Sequence, residues 1–344
     1  MKSVIWDGSD SSKGLVTPNE LKVLHPLSQN SSLFIKKSKL TVANIISGKD
    51  NRILIVCGPC SIHDPEAGYE YAKRLSLLSK KYGDKLFFVM RAYFEKPRTT
   101  VGWKGLINDP DMDGSLKIEK GLKLAREFLV KVAELEIPLA TEALDPMTPT
   151  YFSDIFTWAA IGARTTESQI HRELASSLNM PVGFKNSTNG SIESAINGII
   201  SSRQQHHFIG INNFGLVDII KSTGNPDTHV ILRGGSRPNF DSASVNICES
   251  QISNMGLNPS IMVDCSHGNS NKNHLNQKLV ALDVIQQINN GCKSIFGLML
   301  ESFLLEGRQD INDQSMNFGQ SITDACLSWG QTEDLIQNIY SMLR

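Results

Sequence analysis

Short apolar runs that stop abruptly on a polar residue recur along this chain, each followed by a stretch with helical spacing. The first is ILIVC at 53–57, closed by Gly58 and Pro59 and followed at once by Cys60, Ser61 and His63. A run of this length ended by Gly-Pro reads as a buried strand. Seven more are predicted at Leu86–Met90, Leu139–Thr141, Trp158–Ala163, Val182–Phe184, His229–Leu232, Ile261–Cys265 and Ser294–Leu300. Asp64 and Pro65 have the chemistry of a helix N-cap and first turn, and the helix they start runs to about Tyr82. Further helices are expected over Ile118–Leu135, Met147–Phe156, Thr166–Leu178, Ser191–Arg203, Ala243–Met255, Leu275–Asn289 and from about Thr323 to Leu343. Alternating strand and helix implies a parallel sheet, and eight such units imply an α/β protein of the closed (β/α)8 type, a TIM barrel.

Three stretches break the rhythm. Met1 to about Val23 is polar and Ser-rich, with Pro18 before a short helical piece, and alone would be a loose arm; helical spacing follows over Ser38–Ile46 and ends at Gly48. Phe208–Ile220 reads as strand, turn at Asn212-Asn213 and strand, a β-hairpin inserted at about 206–228. Phe94–Gly114 has no period, and a loop of that length inside a compact domain is usually functional. The expected organisation is therefore an N-terminal extension over 1–50 and a barrel over 51–344.

Barrel sites lie at the C-terminal ends of the strands. The residues predicted there are Cys60, Arg91, Glu142, Arg164, Lys185, Arg233, His267 and Glu301, all ionisable or of a metal-ligand type. A single charged residue after a strand is ordinarily the start of a solvated loop. Eight at equivalent positions point instead to one shared site.

The formal net charge of −1 argues against general attraction to nucleic acid or to an anionic membrane, so the four basic strand-end residues are local concentrated charge. Lys96, Arg98 and Lys104 of the long loop add to it. Guanidinium forks suit carboxylate and phosphate oxygens, so small polyanions are the expected ligands. Pairing with Glu142, Asp145 or Glu167 would absorb some of the cations. Cys60, His267 and Glu301, with Asp324 as a further candidate, are donors suited to Mn2+, Fe2+, Co2+ or Zn2+. Six cysteines in 344 residues are too few for a disulfide scaffold, no secretory signal is read at the N-terminus, and no apolar run reaches the roughly 18 residues of a membrane helix. A cytoplasmic location is expected.

Other readings of these groups stay open. Cys57-Gly58-Pro59-Cys60 has the CxxC spacing of thiol oxidoreductases, whereas Cys60 as a small buried hydrophobe is the bland alternative. Lys185 at a strand end also fits a Schiff-base aldolase. Neither G-x-G-x-x-G after a strand nor a P-loop is present.

GPCSIHD at 58–64, EKPRTTVGWKGL at 95–106, IGARTTESQIHRE at 161–173, PVGFKN at 181–186, LRGG at 232–235, DCSHGNS at 264–270 and GQSITDAC at 319–326 together resemble the class I 3-deoxy-D-arabino-heptulosonate 7-phosphate (DAHP) synthases of the feedback-inhibited microbial type. The resemblance spans nearly the whole chain. It implies condensation of phosphoenolpyruvate with erythrose 4-phosphate, the first step of the shikimate pathway. It implies Cys60, His267, Glu301 and Asp324 as metal ligands, and Arg164 and Arg233 at the phosphoenolpyruvate phosphate, with Arg91 and Lys185 at its carboxylate end. It puts Lys96 between the substrates, Arg98 and Thr99 on the sugar phosphate, and Glu142 among the substrate-binding residues.

The same resemblance implies a pocket for an aromatic amino acid at Pro149, Thr150, Asn179, Phe208 and Gly210, and a homodimer or homotetramer built through the N-terminal arm and the hairpin. Gly210 leaves room for the tyrosine hydroxyl, and FIGIN and MVDCSHGNSNK look like the tyrosine-sensitive branch. Two departures stand out: Asn179 is at a position often occupied by Ser, and Ser187 replaces a Gly and is expected to alter a φ > 0 turn beside Lys185.

Overall fold

The strand residues are buried on both faces, which explains why they read as continuous apolar runs rather than alternating ones. In β1 (Ile53–Gly58), Leu54 and Val56 point into the barrel, while Ile55 and Cys57 face the surrounding helices. The computed structural model describes residues 14–98, 102–311 and 316–343.

Eight parallel strands close a ring: β1, β2 (Leu86–Arg91), β3 (Leu139–Glu142), β4 (Trp158–Ile161), β5 (Val182–Lys185), β8 (Thr228–Leu232), β9 (Ile261–Asp264) and β10 (Ile295–Glu301). Pairing of β1 with both β2 and β10 shuts the barrel. The remaining strands, β6 (His207–Ile211) and β7 (Val217–Lys221), form a separate antiparallel hairpin that places Phe208 opposite Ile220. All eight predicted barrel strands and the hairpin are present, with ends shifted by one or two residues. No helix among the described residues is long and apolar enough to cross a membrane.

Two helices precede the barrel, the short α1 (Pro18–Leu24) and the longer α2 (Gln29–Ile46). Helical spacing is legible from Ser38, yet α2 starts nine residues earlier, because the Ser28 hydroxyl accepts from Ser31 N and caps it there. Val42 and Ile45 of α2 belong to the same cluster as the barrel interior and plug its N-terminal end. α1 is held by a Thr17–Glu20 capping box and reaches the hairpin turn, where Asn19 N donates to Asn213 O at 2.8 Å and Lys22 Nζ to Asn213 Oδ1 at 2.8 Å. The short helical piece expected after Pro18 is α1, and the first thirteen residues of the arm lie outside the described ones.

The barrel helices follow the predicted pattern: α3 (Pro65–Tyr82), α4 (Ile118–Glu134), α5 (Thr148–Phe152), α6 (Gln169–Ser177), α7 (Glu193–Ser202), α8 (Ser242–Asn254), α9 (Gln277–Asn289) and α10 (Trp329–Met342). The largest difference is at α10, predicted from Thr323. Ser328 and Gln331 form a capping box that starts the helix at Trp329. The freed segment crosses the barrel mouth, tied down by Ser302–Leu327, Gly307–Cys326 and Arg308–Ser321 bridges, and carries Asp324.

Ser187 also departs from expectation. It is not among the residues with positive φ; the left-handed turn falls at Gly190, φ +101°. The Ser187 hydroxyl donates within the turn, to Asn189 Oδ1 at 2.5 Å.

Candidate active site

The turn after β1 is set by Gly58, whose φ of +152° and closeness to Arg91 leave no room for a side chain: a Cβ would lie 2.9 Å from Arg91 O. Cys60 then turns inward, fully buried. Its sulfur lies 3.4 Å from Asp324 Oδ2 and 3.1 Å from Lys96 Nζ. Ligand atoms of Cys60, Glu301 and Asp324 all fall within 4.8 Å of one another. His267 Nε2 faces the same group, 3.9 Å from Glu301 Oε1. Thiol and two carboxylates therefore meet at one point, with the His267 imidazole beside Glu301 at its edge but outside that group of three, and thiol, carboxylate and imidazole are donor types fitted to a borderline divalent cation.

The environment sets the charge of each member. Burial, then the Glu301 and Asp324 carboxylates, push the Cys60 thiol up to about 12, the reverse of a redox-active thiol. Cys57 is also pushed to about 12 by burial and faces the helix layer, so the CxxC spacing is not a thioredoxin-like site. Burial would pull the Lys96 ammonium down, but Cys60, Glu301, Glu142 and Asp324 outweigh it and hold it above its usual value. Burial would raise Asp324, but Lys96 and His267 hold it below the usual carboxylate range.

Below this group, Arg91 donates to Glu301 Oε1 at 3.1 Å and to Pro59 O at 3.3 Å, with its guanidinium 4.1 Å above the Tyr93 ring. Above it opens a cleft lined by Lys96, Arg98, Glu142, Arg164, Lys185, Arg233, His267, Thr323 and Asp324, among others. Five basic side chains share that wall: Arg164, Lys185 and Arg233 from strand ends, and Lys96 and Arg98 from the long loop, whereas Arg91, the fourth strand-end cation expected there, is buried beneath it against Glu301 and is not a lining residue. Lys104 is different: it is exposed and does not line the cleft. Its backbone carbonyl instead accepts from Lys96 N at 2.9 Å and closes the loop that carries Lys96. Thr99 lies outside the described residues. Asp145 and Glu167, candidate partners for the cations, are occupied by Met147 N and the Ser194 hydroxyl.

Asp264 is a member that sequence reasoning missed. It ends β9, fully buried, and its Oδ2 lies 2.8 Å from Lys185 Nζ and 3.1 Å from His267 Nδ1. Burial would raise it, but Lys185 and His267 hold it well below the carboxylate range. His267 has φ +57°, a left-handed conformation uncommon outside Gly, and this turns it back toward Asp264 and Glu301. The signal for Asp264 was an acid ending an apolar run, three residues before His267.

A second cleft, of about 860 Å3, lies between α5, α6, the hairpin and Lys22 of α1. Pro149, Thr150, Asn179, Phe208 and Gly210 all line it. A Cβ at Gly210 would lie 2.7 Å from Ile220 Cγ1 across the hairpin, so a larger residue at this cleft-lining position would have to displace Ile220.

Residues 27–337 match the model of the DAHP synthetase I family. The chain is 54% identical over 331 residues to the Tyr-sensitive phospho-2-dehydro-3-deoxyheptonate aldolase of Escherichia coli, covering 96% of this chain and 93% of that protein. It is 46% identical over 330 residues to the Trp-sensitive enzyme of the same organism, covering 96% and 95%. The solved structure of phospho-2-dehydro-3-deoxyheptonate aldolase from Francisella tularensis superposes with a TM-score of 0.94 at 45% identity, over 97% of this chain and 98% of that one. The chain belongs to the DAHP synthetase I family.

Proposed function

We propose that the cleft at the barrel mouth condenses phosphoenolpyruvate with erythrose 4-phosphate to DAHP and phosphate, with Cys60, His267, Glu301 and Asp324 holding the divalent metal and tyrosine as feedback inhibitor. The observation that carries the reading is the meeting of Cys60, Glu301 and Asp324 within 4.8 Å beneath a wall of five cations, in a chain of this family. A bound Mn2+, Fe2+, Co2+ or Zn2+ supplies Lewis acidity toward the aldehyde oxygen.

The chain's own groups do the rest. Arg164 and Arg233 hold the phosphoenolpyruvate phosphate, and Lys185 and Arg91 its carboxylate end. Arg98 and Thr99 hold the sugar phosphate, and Glu142 completes the wall. Carbon 3 of the enol then faces the aldehyde carbon, and such positioning is worth roughly 7–11 kcal/mol in well-oriented reactions. As the carbon–carbon bond forms, Lys96 gives a proton to the developing alkoxide, a role its retained charge supports. Carbon 2 becomes electron-poor, water adds there, and phosphate leaves with its bridging oxygen.

The large cleft at α5 and the hairpin suits an aromatic amino acid: Pro149, Phe208 and Ile220 offer an apolar wall, Lys22 and Glu173 opposite charges for its carboxylate and ammonium. On the other hairpin face, Ile209, Val217 and Ile219 are 81%, 77% and 62% exposed, an apolar strip suited to a second copy of this chain in a homodimer or homotetramer. A cytoplasmic location is consistent with this role.

A phosphate-release assay with both substrates tests the reading. Chelation abolishes activity and Mn2+ restores it; turnover surviving exhaustive chelation would sink the metal role. Adding each aromatic amino acid in turn identifies the inhibitor. Borohydride with substrate should leave Lys185 unlabelled, which separates this chemistry from a Schiff-base aldolase.

A further inference from the structure

Arg91 and Tyr93 stand on the same face of one extended segment. Ala92 N donates to Ala140 O at 2.8 Å and Ile62 N to Tyr93 O at 2.9 Å, so the chain stays extended past the end of β2 and alternate side chains keep one direction. Val89 lies in the barrel interior, and Arg91 and Tyr93 follow it on that face. The Arg91 guanidinium stacks 4.1 Å from the Tyr93 ring centre, and Lys96 Nζ lies 6.0 Å from it. Arg91 and Tyr93 are each 1% exposed.

Among the described residues, the Tyr93 hydroxyl has no hydrogen-bond partner. A phenol sealed from water without a partner is costly, so a buried orphan of this kind calls for a ligand. The charged groups that act on it are Arg91, Glu142, Asp264 and Lys96. Lys96 and Glu142 line the active-site cleft, and Asp264 holds Lys185. The orphan therefore lies beneath the cleft, between Arg91 and the wall that carries Lys185.

We propose that the Tyr93 hydroxyl donates a hydrogen bond to the carboxylate of phosphoenolpyruvate, and that this contact selects an enol phosphate bearing a carboxylate over one without it. The proposal rests on the reading of the cleft as the phosphoenolpyruvate site. Donors are otherwise short there. Arg91 uses four of its five N–H bonds within the protein, on Pro59 O, Cys60 O, Glu301 Oε1 and Met299 Sδ. Lys185 gives one of its three to Asp264. One N–H of Arg91 and two of Lys185 remain for a carboxylate, which has about four acceptor sites. The phenol supplies the fourth donor. Burial raises its pKa above the ordinary phenol value, against the pull of Arg91, so at neutral pH the proton is there to donate.

The test compares phosphoenolpyruvate with vinyl phosphate, the same enol phosphate without the carboxylate, on metal-loaded full-length protein. Binding is read by calorimetry and by competition, alongside steady-state kinetics and melting temperature. Tyr93→Phe removes only the hydroxyl and keeps the ring under Arg91. Phosphoenolpyruvate affinity should fall about 10–100-fold, the usual range for a hydrogen bond to a charged group, and the KM for phosphoenolpyruvate should rise by more than kcat falls. Vinyl phosphate affinity should not change, and the melting temperature should hold or rise, because an unpaired polar group has left the interior. Unchanged phosphoenolpyruvate affinity in Tyr93→Phe overturns the contact. So does an equal loss for both ligands, which assigns the effect to the placement of Arg91. If the unaltered protein binds no phosphoenolpyruvate, the reading of the cleft falls and the contact with it; if it binds phosphoenolpyruvate with the Tyr93-dependent preference yet releases no phosphate, the contact stands and only the proposed reaction falls.

Discussion

Lys185 Nζ and Asp264 Oδ2 lie 2.8 Å apart although their strands, β5 and β9, are separated in the barrel by β8. The same carboxylate oxygen lies 3.1 Å from His267 Nδ1. One buried acid thereby orients a cation of the polyanion cleft and an imidazole of the metal group. Replacing Asp264 with Asn keeps the volume and removes the charge. Metal affinity should fall about 10–100-fold, the usual effect of losing a carboxylate behind a ligating histidine. Stability should fall by about 3–5 kcal/mol, because Lys185 is left buried without its partner. Metal titration and urea denaturation read the two effects separately, and an unaltered metal affinity would remove Asp264 from the metal site.

Gly58→Ala tests the turn that aims Cys60. The backbone at φ +152° disfavours any side chain, and the added methyl meets Arg91 N, O and Cβ at 2.9–3.0 Å. The strain should cost about 1–3 kcal/mol, and relief of it displaces both Cys60 and Arg91. Activity should therefore fall further than stability alone explains. A variant with normal turnover at a lowered melting temperature would show that the turn serves folding only.

His229 is sealed inside the barrel, accepting from Trp158 Nε1 at 2.9 Å and packed edge-on against Phe296. Burial pulls its pKa down to about 4, from an unfolded value near 6.5. Between these values the unfolded chain binds the proton and the folded one does not, so stability falls as pH drops from about 6.5 to 4. The loss from this residue reaches about 3 kcal/mol at the lower end. Denaturant curves at several pH values, compared with those of His229→Gln, should show a shallower acid slope in the variant. Equal slopes would assign the acid sensitivity elsewhere.

Arg126 of α4 is buried and holds three segments together. It donates to Asp154 at 2.6 and 2.8 Å, to His25 O at 3.2 Å and to Tyr151 O at 3.3 Å. Asp154 is partly exposed, which discounts the ion pair, so the larger loss on Arg126→Leu is the two carbonyls left without donors. About 2 kcal/mol is expected, concentrated at α1 and α5. Limited proteolysis should then cut between α1 and α2 sooner than in the barrel; uniform destabilisation would contradict this placement.

Much of this molecule is local in origin. Runs such as ILIVC and LFFVM buried on both faces, the Gly58 stop and the Asp64-Pro65 cap announce strands and helices by chemistry within a few residues, so the eight units and their polar ends are readable from the chain. Where a cap lay outside the visible period, at Ser28 and Ser328, the reading missed the start of a helix by several residues.

Closure of the barrel decided the rest. Cys60 and Asp324 meet although 264 positions separate them, and Arg91 and Glu301 although 210 do. No local pattern distinguishes Lys96, which enters the cleft, from Lys104, which does not, because both are lysines of one aperiodic loop. Nor does it reveal that Asp264 stands behind both Lys185 and His267. Residue type and period are properties of neighbours in sequence; which charges share a site depends on strand order and register, and those exist only once β10 has paired with β1.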